Sequence, residues 1–374
     1  MKLSRKLYVM KVDFLNVLQT NLDVKDEIFE AIQRVVESGV YIGGSEVSEF
    51  ECDYSKYVSS SYCVGVGNGL DAIRLSLQAI GVGPGDEVIV PAHTFIATWL
   101  AVNQCGAEAV PIEPEAHGYN IDPLKLEEKI NKKTKAIIVV HLYGVPANLP
   151  EILRIARRNG VRVVEDAAQA HGALIDGQRI GAHSDAVAWS FYPGKNLGGI
   201  GDAGAVTTND KKIAEKIRCI ANYGSTSKYE HIEIGFNSRL DPIQAAVLKV
   251  KLRYLEGWNT KRKAVAEYYI SELGDKYIPW KKHDAMKDSV WHIFPIETRK
   301  RDELKQVLAD NGISTLVHYP KPPHLQTAYK DQFLTTSLPL TEFKCSRLLS
   351  LPIGPYMSNE SVDHVVKVLN GFES

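Results

Sequence analysis

Between Val24 and Gly39 the stretch VKDEIFEAIQRVVESG spaces Ile28, Ile32, Val35 and Val36 along one face of a helix, and Gly39 supplies a stop. Past YIGGS a second helical pattern begins, with Ser45 expected as its N-cap. From Tyr62 the rhythm changes, and short β-branched runs alternate with helical patterns. YCVGV precedes LDAIRLSLQAIG, EVIV precedes TFIATWLAVNQCG, AEAVPI precedes PLKLEEKI, KAIIVV precedes LPEILRIARRNG, and VRVVED follows. Strands that are apolar throughout and separated by helices predict a parallel sheet covered on both faces. Ligands of such sheets bind beyond the carboxyl ends of the strands.

AVAWSF and GAVTT add two further strands, and Pro242 to about Leu273 reads as long helices. VWHIFPIE then reads as a strand, KRDELKQVLADNGI as a helix, and SNESVDHVVKVL as the start of a last helix. The expected fold class is α/β, a mostly parallel sheet flanked by helices with a smaller C-terminal α+β domain. Residues 1–254 would form the N-terminal segment and large domain, and residues 255–374 the small one. A chain of 374 residues is long enough for both.

Composition narrows the partners. Apolar residues make up 44% and charged residues 24%, the balance of an ordinary globular protein. With 44 basic against 45 acidic side chains the net charge is −1, so no basic field exists for nucleic acid or an anionic membrane. Cys52, Cys63, Cys105, Cys219 and Cys345 are scattered without a CxxC pair, which argues against zinc and a disulfide framework and suits a reducing compartment. In MKLSRKLYVMKVDFLNVL charges interrupt the apolar stretch and no small-residue cleavage site follows, so no signal peptide is read. No apolar run approaches the ~20 residues of a membrane span. The expected setting is the cytoplasm.

Three segments carry candidate chemistry. GVGNGLDAIRL follows a strand and opens a helix, and Gly67, Gly69 and Ala72 satisfy the GxGxxA dinucleotide pattern. That reading needs an acid at the end of the next strand, whereas Asp86 and Glu87 precede theirs. A helix start suited to one phosphate, or a plain strand-to-helix turn, are the competing readings. WSFYPGKNLGGIGDAGAV places Lys195 in a glycine-rich turn after Ser190; with Trp189 and Asn196 where a P-loop needs glycine and a hydroxyl, it is no P-loop. VRVVEDAAQAHGA ends a buried strand on Glu165 and Asp166; an Asp there commonly caps a turn, or it faces a cationic ligand atom. A phosphate site, a buried carboxylate and a loop amine together suit pyridoxal 5'-phosphate, which needs a lysine for its aldehyde and an acid for its ring nitrogen.

At these residues the sequence resembles the nucleotide-sugar aminotransferases of the DegT/StrS type, within the fold type I (aspartate-aminotransferase) superfamily. The match runs through SGVYIGG, GNGLDAIRLSL, GPGDEVIVPAHTFIATW, VVHLYG, VEDAAQAHGA, SFYPGKNLGGIGDAGAV, NYGS, GFNSRLDPIQAAVL and VHYPKPPHLQ, over nearly the whole chain. The resemblance implies that Lys195 holds the cofactor aldehyde and then moves protons, and that Asp166 binds the pyridine nitrogen. It implies Gln169 at the ring hydroxyl, Phe95 stacked on the ring, and Ser190 with the Gly69 and Leu70 amides on the phosphate. Asn237 would reach a phosphate across a homodimer interface. Many relatives carry threonine where Leu70 stands, so one hydroxyl contact is missing here. The sugar dehydratases of the superfamily replace the lysine with histidine; Lys195 is retained, which favours transamination.

The resemblance also implies a sugar-nucleotide pocket formed by His318, Tyr319 and His324 in a proline-stiffened loop, with Tyr192, Tyr223 and Arg239 as further candidates. Its nearest branch aminates the 3-position of dTDP-linked 3-keto-6-deoxyhexoses. Glutamate would first convert the cofactor to pyridoxamine 5'-phosphate, and the keto sugar would then take the amino group; no metal is expected. UDP-linked or 4-keto sugars, an NAD-dependent oxidoreductase resting on GxGxxA, and a non-catalytic sugar-nucleotide sensor are the alternatives.

Overall fold

The structure, a computed structural model, describes residues 10–281 and 283–372, so the reading of residues 1–9 as no leader segment lies outside the described residues. The sheet is built from β1 (Tyr62–Val66), β2 (Glu87–Pro91), β3 (Glu108–Ile112), β4 (Thr134–Val140) and β5 (Arg162–Asp166). After a small hairpin of β6 (Leu174–Ile175) and β7 (Gln178–Arg179), β8 (Ala186–Ser190) and β9 (Gly204–Thr208) complete it. The seven strands lie in the order β1-β9-β8-β5-β4-β2-β3, and β9 alone runs against the others. The carboxyl ends of β1, β2, β4, β5 and β8 therefore share one edge.

Both faces are covered, which is why these strands read as continuous apolar runs. Along β4, Ala136, Ile138 and Val140 join one core with Val164, Ala188 and Val206, while Ile137 and Val139 join the other with Val163, Val187 and Trp189. The helix Lys25–Ser38 ends on Gly39 at φ 67°, as expected, and packs Ile28, Ala31 and Val35 against the helix Pro242–Leu252. Val36, expected on that apolar face, is 53% exposed.

Three local expectations are corrected. The N-cap of the helix Ser45–Tyr57 is Gly44 at φ 82°, because the turn before it requires positive φ; Ser45 is the first helical residue. PLKLEEKI forms only a 3-10 turn, Pro123–Lys125, and one helical turn, Leu126–Lys129. Glu87 begins β2, while Asp86 stays in the preceding turn and accepts from the Gly83 N–H at 2.9 Å.

The helix Leu255–Glu272 leads into the C-terminal part. Before that helix β10 (Ser225–Ser227) and β11 (Glu230–His231) form a surface hairpin, and after it β12 (Phe294–Glu297) pairs antiparallel with β13 (Leu348–Leu351). VWHIFPIE is thus strand only in its second half. Tyr277, Phe294, Leu349 and Val365 share one continuous core with Val88 and Ile138 of the large sheet. Among the described residues no helix is long and apolar enough to cross a membrane.

Candidate active site

The edge where the strands end collects the chemistry. After β1, the Asn68 side chain accepts from the Asp71 N–H at 2.9 Å and its carbonyl from the Ala72 N–H at 3.0 Å, starting the helix Gly69–Ala79. The first-turn amides of Gly69 and Leu70 stand ahead of those bonds, where a helix offers free donors. This helix start presses on the end of β8: a Cβ on Gly69 would lie 2.6 Å from Ser190 Cβ and 3.2 Å from Ser190 Oγ. Glycine therefore brings the Ser190 hydroxyl beside the helix N-terminus, a cradle that fits a phosphate.

A dinucleotide does not fit here. Its ribose-binding acid would have to end a strand beside β1, but β1 is an edge strand whose neighbour is β9, and β2 lies far across the sheet.

Alternation along β5 sends Glu165 and Asp166 to opposite faces. Glu165 pairs with the buried His141 Nε2 at 2.9 Å, and His141 Nδ1 accepts from the Ala147 N–H at 3.1 Å, so this imidazole is neutral and donates to Glu165. Asp166 faces the site, 8% exposed. Its Oδ1 accepts from the Ala168 N–H at 3.2 Å and its Oδ2 from the Thr98 hydroxyl at 3.1 Å. Thr98 has one proton to give, so its oxygen accepts from Thr94 at 2.8 Å. Burial raises the Asp166 carboxyl, opposed by the Ala168 N–H, the Lys195 ammonium and the Thr98 hydroxyl.

Lys195 follows β8 in a turn closed by its N–H to the Tyr192 carbonyl at 2.8 Å. The residue is half-buried, yet burial of the amine dominates and pushes it down to about 8, against the pull of Asp166. The next residue anchors the turn. Asn196 Nδ2 donates to Asn259 Oδ1 and to the Val290 carbonyl, both at 3.0 Å, and its Oδ1 accepts from His292 Nδ1 at 3.1 Å. An amine that deprotonates near neutrality, a buried carboxylate and a phosphate cradle on one edge fit pyridoxal phosphate.

The family model described as the DegT/DnrJ/EryC1/StrS aminotransferase family matches residues 22–370. The chain belongs to this family. Membership makes it a pyridoxal-phosphate-dependent aminotransferase of fold type I. A relative from Saccharopolyspora erythraea, named erythromycin biosynthesis sensory transduction protein EryC1, is 49% identical over 362 residues, 96% of this chain and 99% of its own. The dTDP-3-amino-3,6-dideoxy-alpha-D-galactopyranose transaminase of Aneurinibacillus thermoaerophilus is 47% identical over 361 residues, again 96% and 99%. The crystal structure of DesV from S. venezuelae in complex with a ketimine intermediate is 45% identical and has a TM-score of 0.93, covering 96% of this chain and 98% of that one.

The remaining sequence candidates divide into groups. Phe95 is 54% exposed, with its ring 5.6 Å from that of Tyr319. Gln169 is buried; its Oε1 accepts from the Tyr143 N–H and its Nε2 donates to the Tyr319 hydroxyl at 3.3 Å. His318 Nδ1 meets Ser350 Oγ at 2.9 Å, and burial with the Lys195 charge lowers this imidazole to about 4. Tyr192 is exposed and its N–H donates to Ser190 Oγ at 3.4 Å.

A second group lies at the Asn222–Asn237 bridge. Arg239 donates to Asn222 Oδ1 at 3.0 Å and stands 5.5 Å from the Tyr223 ring centre. Ser238 ties this segment to the glycine turn, accepting from the Gly67 N–H at 3.0 Å and donating to Asp71 at 2.7 Å, and the adjacent Asn237 is exposed. Among the described residues no hydrogen bond joins this group to Lys195 or Asp166. His324 stands apart: it is 1% exposed, and its Nε2 meets Glu342 at 3.0 Å, so packing occupies it.

Thr94, Thr98, Asn196 and His292 were not singled out from the sequence. Thr94 lies in the bend before the helix Ala97–Gln104 and Thr98 in that helix's first turn, so their contact becomes readable only once β5 is known to lie opposite.

Proposed function

We propose that this chain moves an amino group from glutamate to the 3-keto carbon of a dTDP-linked 3-keto-6-deoxyhexose, in amino-sugar biosynthesis. The observation that carries the reading is the Lys195 amine, lowered to about 8, sharing one sheet edge with the buried Asp166 in a chain alignable end to end with a transaminase of a dTDP-3-amino sugar. Bound pyridoxal phosphate supplies a ring that accepts electrons from the carbon being deprotonated. Lys195 holds the cofactor through its amine and afterwards carries a proton between the amino carbon and the cofactor carbon. Asp166, oriented by Thr98, keeps a negative charge beside the ring nitrogen. Gly69, Leu70 and Ser190 would hold the phosphate, Phe95 would cover the ring face, and Gln169 would border the ring hydroxyl. His318, Tyr319, Tyr192, Tyr223 and Arg239 receive the sugar nucleotide.

The active unit in this reading is a homodimer. Phe29, Val36, Val40, Tyr41 and Ile42 are exposed along and just after one helix, a patch that water disfavours and a second copy would cover, with Asn237 reaching into the partner's phosphate site. The five cysteines are unpaired, which suits the cytoplasm.

A product assay with glutamate and a panel of dTDP- and UDP-linked 3-keto and 4-keto sugars tests the assignment. Amination of a dTDP-linked 3-keto sugar at C3 is expected, and no amination of any of them overturns the enzyme reading. That result would favour a sensor, the reading suggested by the printed name of the S. erythraea relative. Lys195→Ala is expected to abolish both turnover and the visible absorbance of the purified protein; a variant retaining both would remove Lys195 from its role.

A further inference from the structure

We propose that Tyr143 and His93 are positioning residues for the keto-sugar half of the reaction, acting through the His318–Tyr319 segment. The inference rests on the proposed sugar-nucleotide substrate; its geometry does not.

Tyr143 follows β4 at φ 64° and is fully buried. Its hydroxyl meets the His318 carbonyl, and a carbonyl only accepts, so Tyr143 is the donor. The Tyr143 oxygen also meets His93 Nε2 at 2.8 Å, and with its own proton committed it accepts there. His93 therefore carries its proton on Nε2. Burial pushes this imidazole down to about 3, with the Lys344 charge adding to the effect, so the ring is neutral and Nδ1 is an acceptor. Nδ1 faces Cys345 Sγ at 3.3 Å, which makes the thiol the donor. One direction of donation runs Cys345, His93, Tyr143, His318 carbonyl, across residues far apart in the chain.

Tyr143 also donates its backbone N–H to Gln169, whose Nε2 reaches the Tyr319 hydroxyl. One residue thus holds both halves of the His318–Tyr319 pair, the first by its side chain and the second through Gln169. Tyr319 in turn borders Phe95 at 5.6 Å, so this segment walls the open side of the site. Among the described residues no hydrogen bond joins His93 or Cys345 to Lys195 or Asp166. Their loss acts on the wall and leaves the amine and carboxylate in place. In this proposal the short glutamate needs only the Lys195 end, whereas the longer sugar nucleotide would extend along the wall.

The test separates the half-reactions in single-turnover experiments on holoenzyme, following cofactor absorbance. Tyr143→Phe keeps the ring and removes the donated proton. It should change the glutamate half by no more than about twofold and weaken apparent keto-sugar affinity by roughly tenfold, the size of one lost hydrogen bond of ~1.4 kcal/mol. His93→Gln, which retains an N–H donor, should recover much of the affinity that His93→Leu loses. Equal losses in both halves, or an unchanged sugar half, overturn the proposal. A second readout needs no substrate: 15N NMR of histidine-labelled protein, assigned with His93→Gln, should show His93 neutral with its proton on Nε2 from pH 8 to pH 5. A proton on Nδ1, or a charged ring, overturns the relay. Should wild-type protein aminate no nucleotide sugar, the proposed function fails and the NMR result alone decides the relay.

Discussion

At Lys195 burial and charge compete. Removing an ammonium from water favours the neutral amine, and the Asp166 carboxylate favours the charged one; burial wins and leaves the amine at about 8. In apo-protein, labelling of Lys195 by an amine-reactive reagent, mapped by peptide mass spectrometry, should rise with a midpoint near pH 8. Asp166→Asn removes the opposing charge, so its midpoint should fall below the wild-type value; a midpoint that stays or rises contradicts the coupling. The linkage to stability has a definite sign. A folded pKa lowered from 10.5 to about 8 means that burying the charged form costs stability below pH 8, a cost relieved as pH climbs towards 10.5. Apo Lys195→Met should therefore unfold at a higher temperature than wild type at pH 7, with the gap closing at alkaline pH. In holoenzyme, Asp166→Asn should bind cofactor but turn over ~10²-fold or more slowly, the usual scale for losing a preorganised charge at a reacting centre.

Elements position these side chains by close approach. The helix Gly69–Ala79 can start against Ser190 because Gly69 has no Cβ; an added one would sit 2.6 Å from Ser190 Cβ. Relieving that overlap costs about 1–3 kcal/mol, so Gly69→Ala should weaken pyridoxal phosphate binding roughly tenfold or more in equilibrium dialysis while the fold persists. Normal affinity would show that this approach does not shape the phosphate cradle. Helix and strand placement was largely legible, since both periods are carried by neighbouring residues. The departures are local: Gly44 caps where Ser45 was expected, because a positive φ outranked a hydroxyl at that turn. Glu165 and Asp166 are adjacent in sequence, and strand alternation anchored to the core sends them to opposite faces.

For the whole molecule, the exposed stripe Phe29, Val36 and Tyr41 predicts self-association. Sedimentation should report a dimer, and the double substitution Phe29→Glu with Val36→Glu should shift it to monomer with a parallel loss of transamination. A fully active monomer would remove Asn237 from the site. The Lys195 turn is also held from the C-terminal part, through Asn196 to Asn259 and His292. Residues of the large sheet and of the C-terminal segment share one core as well, so the Lys195 turn and that segment are packed together.

The sequence alone determined the class of fold, because strands apolar on both faces and helices with one apolar face are patterns of adjacent positions. It also singled out Lys195, Asp166 and the glycine turn, since each breaks the pattern around it. Only the tertiary structure decided the strand order that puts β9 beside β1 and excludes a dinucleotide. It alone buried His324 against Glu342 and joined Cys345, His93, Tyr143 and His318. Those outcomes depend on contacts between residues distant in the chain, which packing of the whole core sets and no local period encodes.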